Sequence, residues 1–163
     1  MKIGVVSDTH NNINNINAII SIFNELNLDL VIHTGDITNS SSLEKFSRLK
    51  SDLYGVYGNN DRSEPNLVEV AKKNNFNFQE PPRILSFCKK KIAIFHEPED
   101  ITDFLHCNND IDIVIHGHTH RYRNEFMNDI LFFNPGESAG MLKGRNAVGI
   151  LDLEHLKAKR IFF

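Results

Sequence analysis

Cysteine is scarce in this sequence. Cys88 and Cys107 are the only two, far apart and in no metal-ligating spacing, so neither a disulfide framework nor a thiolate metal site is expected. Basic clusters are equally thin: none is longer than Lys89-Lys90-Lys91, and 18 basic against 21 acidic side chains leave a net charge of −3, which argues against a stable nucleic-acid partner. Long apolar runs are missing too. The segment Met1–His10 has one lysine, a short apolar run and an aspartate, the pattern of neither a secretory signal nor a membrane span, so the expectation is a cytoplasmic protein with no membrane partner. Five prolines and nine glycines never gather into a linker and no internal repeat occurs, so residues 1–163 read as a single domain. Folding at this length buries roughly 68–70% of the surface that the unfolded chain exposes. The core therefore needs no structural metal, and any metal present is there for function.

What the sequence does have is an alternation of short β-branched runs with amphipathic stretches, the pattern of an α/β fold with a largely parallel core. Ile3–Val6 reads as a buried strand, and Ile13, Ile16, Ile20, Phe23 and Leu26 form one face of a following helix. Leu30–Ile32 and Leu53–Tyr57 are the next strands, with Ser41 or Ser42 capping a helix between them and Ser63 capping a helix through Leu67, Val70 and Ala71. After Pro81-Pro82 comes a hairpin, Ile84–Phe87 with Ile92–Phe95, then a short helix beginning near Pro98 and a strand Ile111–Ile115. From Arg121 onward antiparallel strands are expected, with turns at Asn128-Asp129 and Glu154-His155. The 20 asparagines are scattered through helix starts and turns and form no tract. Ile161-Phe162-Phe163 is expected in the core.

Metal-type side chains fall just past the ends of predicted strands. Asp8 and His10 follow the first strand, Asp36 the second, Asn59 and Asp61 the third; His96 ends the hairpin strand, and His116, His118 and His120 follow Ile111–Ile115. Ligands of open α/β sheets bind in the crevice beyond the carboxyl ends of strands, so one site can collect them all. Asp8-Thr9-His10 alone is a common turn device, and Gly35-Asp36 is weaker still. His116-Gly117-His118-Thr119-His120 is stronger, because three imidazoles in five residues crowd one another's protons unless a cation or a solvated pocket takes them up; the alternative is a surface histidine cluster. The oxygen and nitrogen donors suit Mn²⁺, Fe²⁺, Zn²⁺, Co²⁺ or Ni²⁺. These side chains are too many for one ion, whereas a shared Asp36 would let seven of them give each of two ions four.

Ser7-Asp8-Thr9-His10, Gly35-Asp36, Gly58-Asn59-Asn60-Asp61, His96 and Gly117-His118-Thr119-His120, in that order, resemble the calcineurin-like metallophosphoesterases. The short chain and the Asn134-Pro135-Gly136 turn resemble the small YfcE-like phosphodiesterase branch, which is also related to the retromer scaffold subunit. The resemblance implies a four-layer αββα sandwich of the metallophosphoesterase type. It implies a hydrolase, a metal-dependent phosphodiesterase in which a hydroxide bridging two metals attacks a small phosphoester in line. Asp8, His10, Asp36 and His120 would hold one divalent ion and Asp36, Asn59, His96 and His118 the other, with manganese the first choice and nickel, iron, zinc, cobalt or magnesium the alternatives. Asn60 and Asp61 stand where the family has catalytic residues. The alternatives are a phosphomonoesterase or nucleotide pyrophosphatase of the same fold, or a non-catalytic protein-binding scaffold. A homo-oligomer is left open.

The sequence departs from the family at three places. Asn60 replaces the histidine or cysteine of the usual Gly-Asn-His-Asp or Gly-Asn-Cys-Asp block, and an amide cannot protonate a leaving oxygen. Glu97 stands where glycine is common and Glu137 where serine is frequent. If these carboxylates face the pocket they oppose a phosphomonoester more than a diester; if they face outward they are ordinary surface acids. His33 is read either as support behind a ligand or as a core histidine, and His106 and His155 as solvent-facing.

Overall fold

The computed structural model describes residues 1–163. Eleven strands form two sheets. The first has β1 (Lys2–Val6), β2 (Leu30–His33), β3 (Asp52–Val56), β4 (Asn77–Gln79), β10 (Ala147–Asp152) and β11 (Lys157–Phe162), in the order β11-β10-β1-β2-β3-β4. The second has β5 (Arg83–Phe87), β6 (Lys90–Ile94), β7 (Ile113–Ile115), β8 (Arg123–Met127) and β9 (Ile130–Asn134), in the order β5-β6-β7-β9-β8. Helices α1 (Ile13–Leu26), α2 (Ser40–Lys45) and α3 (Leu67–Lys73) cover the outer face of the six-stranded sheet, and α4 (Ile101–Cys107) covers that of the five-stranded sheet.

Alternation along the strands explains the four layers. Ile3, Val5, Leu30 and Ile32 face Ile92, Ile94, Ile113, Ile115 and Phe133 of the opposite sheet, while Val6 and Val31 face the helices with Ile16, Ile19 and Phe23. Because both faces of these strands are covered, they read as unbroken apolar runs. Strands β1, β2 and β3 run parallel, as do β6, β7 and β9, so the loops after β1, β2, β3, β6 and β7 leave from the carboxyl ends of two parallel sets.

Several local expectations change. Helix α2 is capped by Asn39, whose side chain accepts from the Ser42 N–H at 2.7 Å, so the cap is an asparagine upstream of the serines. Asn66, with φ 68°, precedes α3 in place of Ser63. Pro98 lies before the start of α4, and its carbonyl accepts from the Ile101 N–H at 3.3 Å. Ile19 joins the buried face of α1, whereas Leu26 at the last turn is exposed. Strand β4 has a single half-buried apolar residue, Phe78, too little alternation to recognise. The carboxyl-terminal strands are not uniformly antiparallel: β9 pairs parallel to β7, and β10 and β11 belong to the other sheet. Ile161 and Phe163 pack against the core while Phe162 points to solvent. The asparagines have a physical role in these caps and in left-handed positions such as Asn27, Asn75 and Asn128, which asparagine tolerates.

Candidate metal centre

The loop after β1 carries Asp8 and His10, the loop after β2 carries Asp36, and the loop after β3 carries Asn59, Asn60 and Asp61. His96 follows β6, and His118 and His120 follow β7. Asp8, His10, Asp36, His118 and His120 have φ of 53°, 38°, 59°, 64° and 55°. Left-handed backbone at five such residues is strained, and strain of this kind gathers at functional sites. Gly35, at φ +105°, lies so close to its neighbours that a Cβ would stand 2.7 Å from both the Gly58 N and the His96 Nδ1. Gly117 is similarly packed against Ser7, Thr34 and Asp8. The glycines thus let the loops of the two sheets touch.

The donors form two groups. The ligand atoms of Asp8, His10 and His120 lie within 4.8 Å of one another, and so do those of Asp36, His96 and His118. Asp36 lies between them: Oδ2 is 3.5 Å from the His10 Nε2, and Oδ1 is 3.3 Å from the His96 Nε2. Asn59 Oδ1 is 2.9 Å from the His96 Nε2 and 3.1 Å from the His118 Nδ1. All seven residues singled out as ligands from the sequence therefore meet in one cluster.

Three features of this cluster are those of a cation site. The His96 Nδ1 donates to the Thr34 carbonyl at 2.8 Å, so in the neutral ring the Nε2 lone pair faces two oxygens, those of Asp36 and Asn59. The Nε2 atoms of His10 and His120 face each other at 3.4 Å. Asp8 Oδ1 is buried with no hydrogen-bond donor on it and faces the His120 Nε2 at 3.5 Å, while Oδ2 accepts from the Ser7 hydroxyl and, at 3.1 Å, from the His118 N–H. Opposed lone pairs and an unpaired buried carboxylate oxygen are costly unless positive charge lies among them. The charges of the bare cluster show the same demand. Burial resists ionisation of Asp36, yet His96 and Asn60 hold its pKa below the usual carboxylate range. Burial likewise lowers the His96 pKa, but Asp36, Asp8 and the Thr34 carbonyl together more than offset it and the net shift is upward; Asp8 raises the pKa of His120.

Neighbours of the cluster differ in what they do. Asp61 is buried, and its carboxylate accepts from the N–H of Asp36 at 2.8 Å, Ile37 at 2.9 Å, Thr38 at 2.7 Å and Gly58 at 2.8 Å. Burial pushes its pKa up, and the amides of Gly58, Thr38 and Asp36 pull the other way. Asn60 donates to Asp36 twice, from its N–H at 3.0 Å and from its side-chain amide at 2.7 Å. Glu97 pairs with Arg62 at 2.7 Å. Glu137 is buried and accepts from the N–H of Met141 at 3.3 Å and of Leu142 at 2.9 Å. His33 is fully buried: its Nδ1 accepts from the Gly35 N–H at 3.1 Å and its Nε2 faces the Thr9 hydroxyl at 3.2 Å. Burial drives its pKa down to about 3. His116 is buried outside both donor groups, with its pKa lowered by burial. His106 and His155 are exposed.

Sequence reasoning missed the supports. Ser7 on Asp8 is adjacent to a ligand but carries no pattern of its own. Asn134 is fully buried and its side chain donates to the Gly117 carbonyl at 3.0 Å and the Thr119 hydroxyl at 3.3 Å, fixing the loop of His118 and His120. Its only signal was the Asn134-Pro135-Gly136 turn.

Known proteins resemble this chain in sequence and fold. The model of the calcineurin-like phosphoesterase superfamily domain matches residues 1–156. Phosphodiesterase MJ0936 of Methanocaldococcus jannaschii is 36% identical over 163 residues, covering 99% of this chain and 98% of that protein. The solved structure of a novel archaeal phosphodiesterase superposes with a TM-score of 0.90 at 34% identity, over 100% of both chains. Yfce, a phosphoesterase from E. coli, gives a TM-score of 0.71 at 17% identity over 99% of this chain and 98% of its own, a likeness of fold alone.

Proposed function

This chain belongs to the calcineurin-like phosphoesterase superfamily and is a metal-dependent hydrolase of phosphoric esters, and from that premise we propose how it works. It is a phosphodiesterase whose one domain, residues 1–163, holds a pair of divalent cations beyond the strand ends. Asp8, His10, Asp36 and His120 would hold one ion, and Asp36, Asn59, His96 and His118 the other. The observation that carries this reading is the position of Asp36, with one carboxylate oxygen toward His10 and the other toward His96. When bound, such a pair supplies a water acidic enough to attack at neutral pH and positive charge for the phosphoryl oxygens. Manganese is the first choice for an oxygen and nitrogen donor set, and the cytoplasm the proposed compartment. No helix is long and apolar enough to cross a membrane.

The chain's own residues do the positioning. Asp61 keeps four amides of the β2 and β3 loops together, which fixes Asp36 and spends both Asp61 oxygens away from the substrate. Asn60 holds Asp36 from the other side and has no proton to give a leaving oxygen. The preferred substrates are therefore diesters with good leaving groups, such as aryl esters. Glu97 and Glu137 do not enforce this preference, because one is tied to Arg62 and the other is spent on loop amides. The test is a phosphoester panel with metal analysis. Turnover of bis(p-nitrophenyl) phosphate that a chelator abolishes and Mn²⁺ restores supports the reading. A fully loaded protein that hydrolyses no diester, monoester or pyrophosphate contradicts it.

A further inference from the structure

A cleft of about 870 Å³ runs from His118 along the side of the site, and its wall includes His116, Thr119, Arg121, Arg123 and Glu99. It shares Pro98 and Arg123 with a second cavity of about 430 Å³, whose wall contains Ile101, Leu105 and Phe132. The strand alternation that packs Val114 against the residues under α4 also carries His116 to this outer side. Its imidazole is only 3% exposed. The Nδ1 lies 3.1 Å from the Gly117 carbonyl, which can only accept; the Asn134 side-chain amide, 3.4 Å from the same atom, spends its two hydrogens on the Gly117 carbonyl at 3.0 Å and the Thr119 hydroxyl at 3.3 Å, so Nδ1 bears the proton and Nε2 a lone pair. No donor reaches that lone pair, and the atom is buried. An unpaired acceptor shielded from water and set in the wall of a cleft beside the reacting centre is a recognition element without its partner. Glu99, one of its charged neighbours, is an exposed side chain on the wall of the same cleft.

The charge of the cleft narrows the ligand. Arg123 is paired with Glu125 at 2.7 Å and lies over the Phe132 ring at 4.3 Å, so it offers little to a second phosphate. We propose that this cleft seats the alcohol arm that remains on phosphorus, and that the His116 Nε2 accepts a hydrogen bond from a hydroxyl of that arm. A hydroxylated arm of nucleoside size is then preferred to a plain aryl arm. The inference rests on the diesterase reading above and deepens it. No proton is transferred to His116; the bond is one of recognition.

The experiment compares thymidine 5′-(p-nitrophenyl phosphate) with bis(p-nitrophenyl) phosphate, which share a leaving group and differ in the retained arm. The wild-type protein loaded with Mn²⁺ should favour the nucleoside ester in kcat/KM by about tenfold, the scale of one hydrogen bond to an otherwise unpaired acceptor. His116→Phe should erase most of that ratio, and His116→Gln, which keeps an acceptor, should restore part of it. Calorimetric binding of thymidine 5′-monophosphate against phenyl phosphate should show the same preference without turnover. A wild-type protein with no preference in either measurement, or a His116→Phe variant with the ratio intact, overturns the proposal. If no ester is hydrolysed the diesterase reading fails, and the binding comparison still decides the cleft.

Discussion

The two sheets bring different chemistry to the same edge. Every carboxylate of the cluster, Asp8 and Asp36, comes from the six-stranded sheet, together with Asn59 and His10, whereas the five-stranded sheet gives only imidazoles, those of His96, His118 and His120. The supports differ accordingly. On the acidic side the loops are tied by amide donors: four converge on Asp61, and the His10 N–H reaches the Asp36 carbonyl at 3.1 Å. On the imidazole side a ring needs only its other nitrogen fixed, as the Thr34 carbonyl fixes His96, or its loop held, as Asn134 holds Gly117. Buried anions require an array of dipoles to stay charged, while a neutral ring requires a tautomer. Neither sheet alone offers a complete set, so the centre exists only once the apolar faces between the sheets have packed.

The largest expected effect comes from breaking the acidic side at its centre. Asp36→Ala should lower kcat/KM on bis(p-nitrophenyl) phosphate by about 10³-fold or more, beyond the usual loss of one electrostatic contact because two ions share the residue. A loss below tenfold in steady-state assays argues that Asp36 is not shared. Next is the support behind it. Asp61→Ala leaves four N–H groups, three of them buried, without their acceptor and should cost about 3 kcal/mol or more in urea unfolding, with weaker metal binding. Less than 1 kcal/mol would mean that water replaces the carboxylate.

Asn60→His tests the adjacent position in a different way. It should leave metal content unchanged and raise the rate with alkyl leaving groups by about tenfold or more, with a smaller gain for aryl esters. Equal gains for both classes, read from a leaving-group series, exclude this position from proton donation.

The smallest effect concerns His33, on the acidic sheet but outside the ligand set. Its folded pKa of about 3 lies below the unfolded value, so the unfolded chain takes up a proton that the native state refuses. Stability is therefore full above about pH 6.5 and falls by about 1.4 kcal/mol per pH unit as the pH drops toward the folded value. Metal-free wild type should lose about 1.6 kcal/mol relative to His33→Asn between pH 6.5 and 5. Parallel pH profiles for the two proteins would show that the ring is not held neutral.

The legible parts of this molecule were those written in local patterns. Apolar runs such as Leu30–Ile32 announced buried strands, metal-type side chains stood just past their ends, and the resemblance of those blocks to a known family picked out the ligands before any contact was known. What escaped depends on groups distant in sequence. Strand β4 is held by pairing with β3 and has almost no alternation, and β9 runs parallel to β7 because the hairpin β8–β9 attaches by its second strand. The direction of Glu97 follows from Arg62, and that of Glu137 from a loop whose amides it accepts; neither partner can be named from the residue alone. Asn60 was recognised as an altered residue, but its hold on Asp36 required the fold.

Metal stoichiometry is the most direct test of a centre shared across the two sheets. After dialysis against Mn²⁺, the wild-type chain should carry two ions and Asp36→Ala should lose both, while Asp61→Ala binds them more weakly. One ion per wild-type chain, or two ions retained without Asp36, would contradict it.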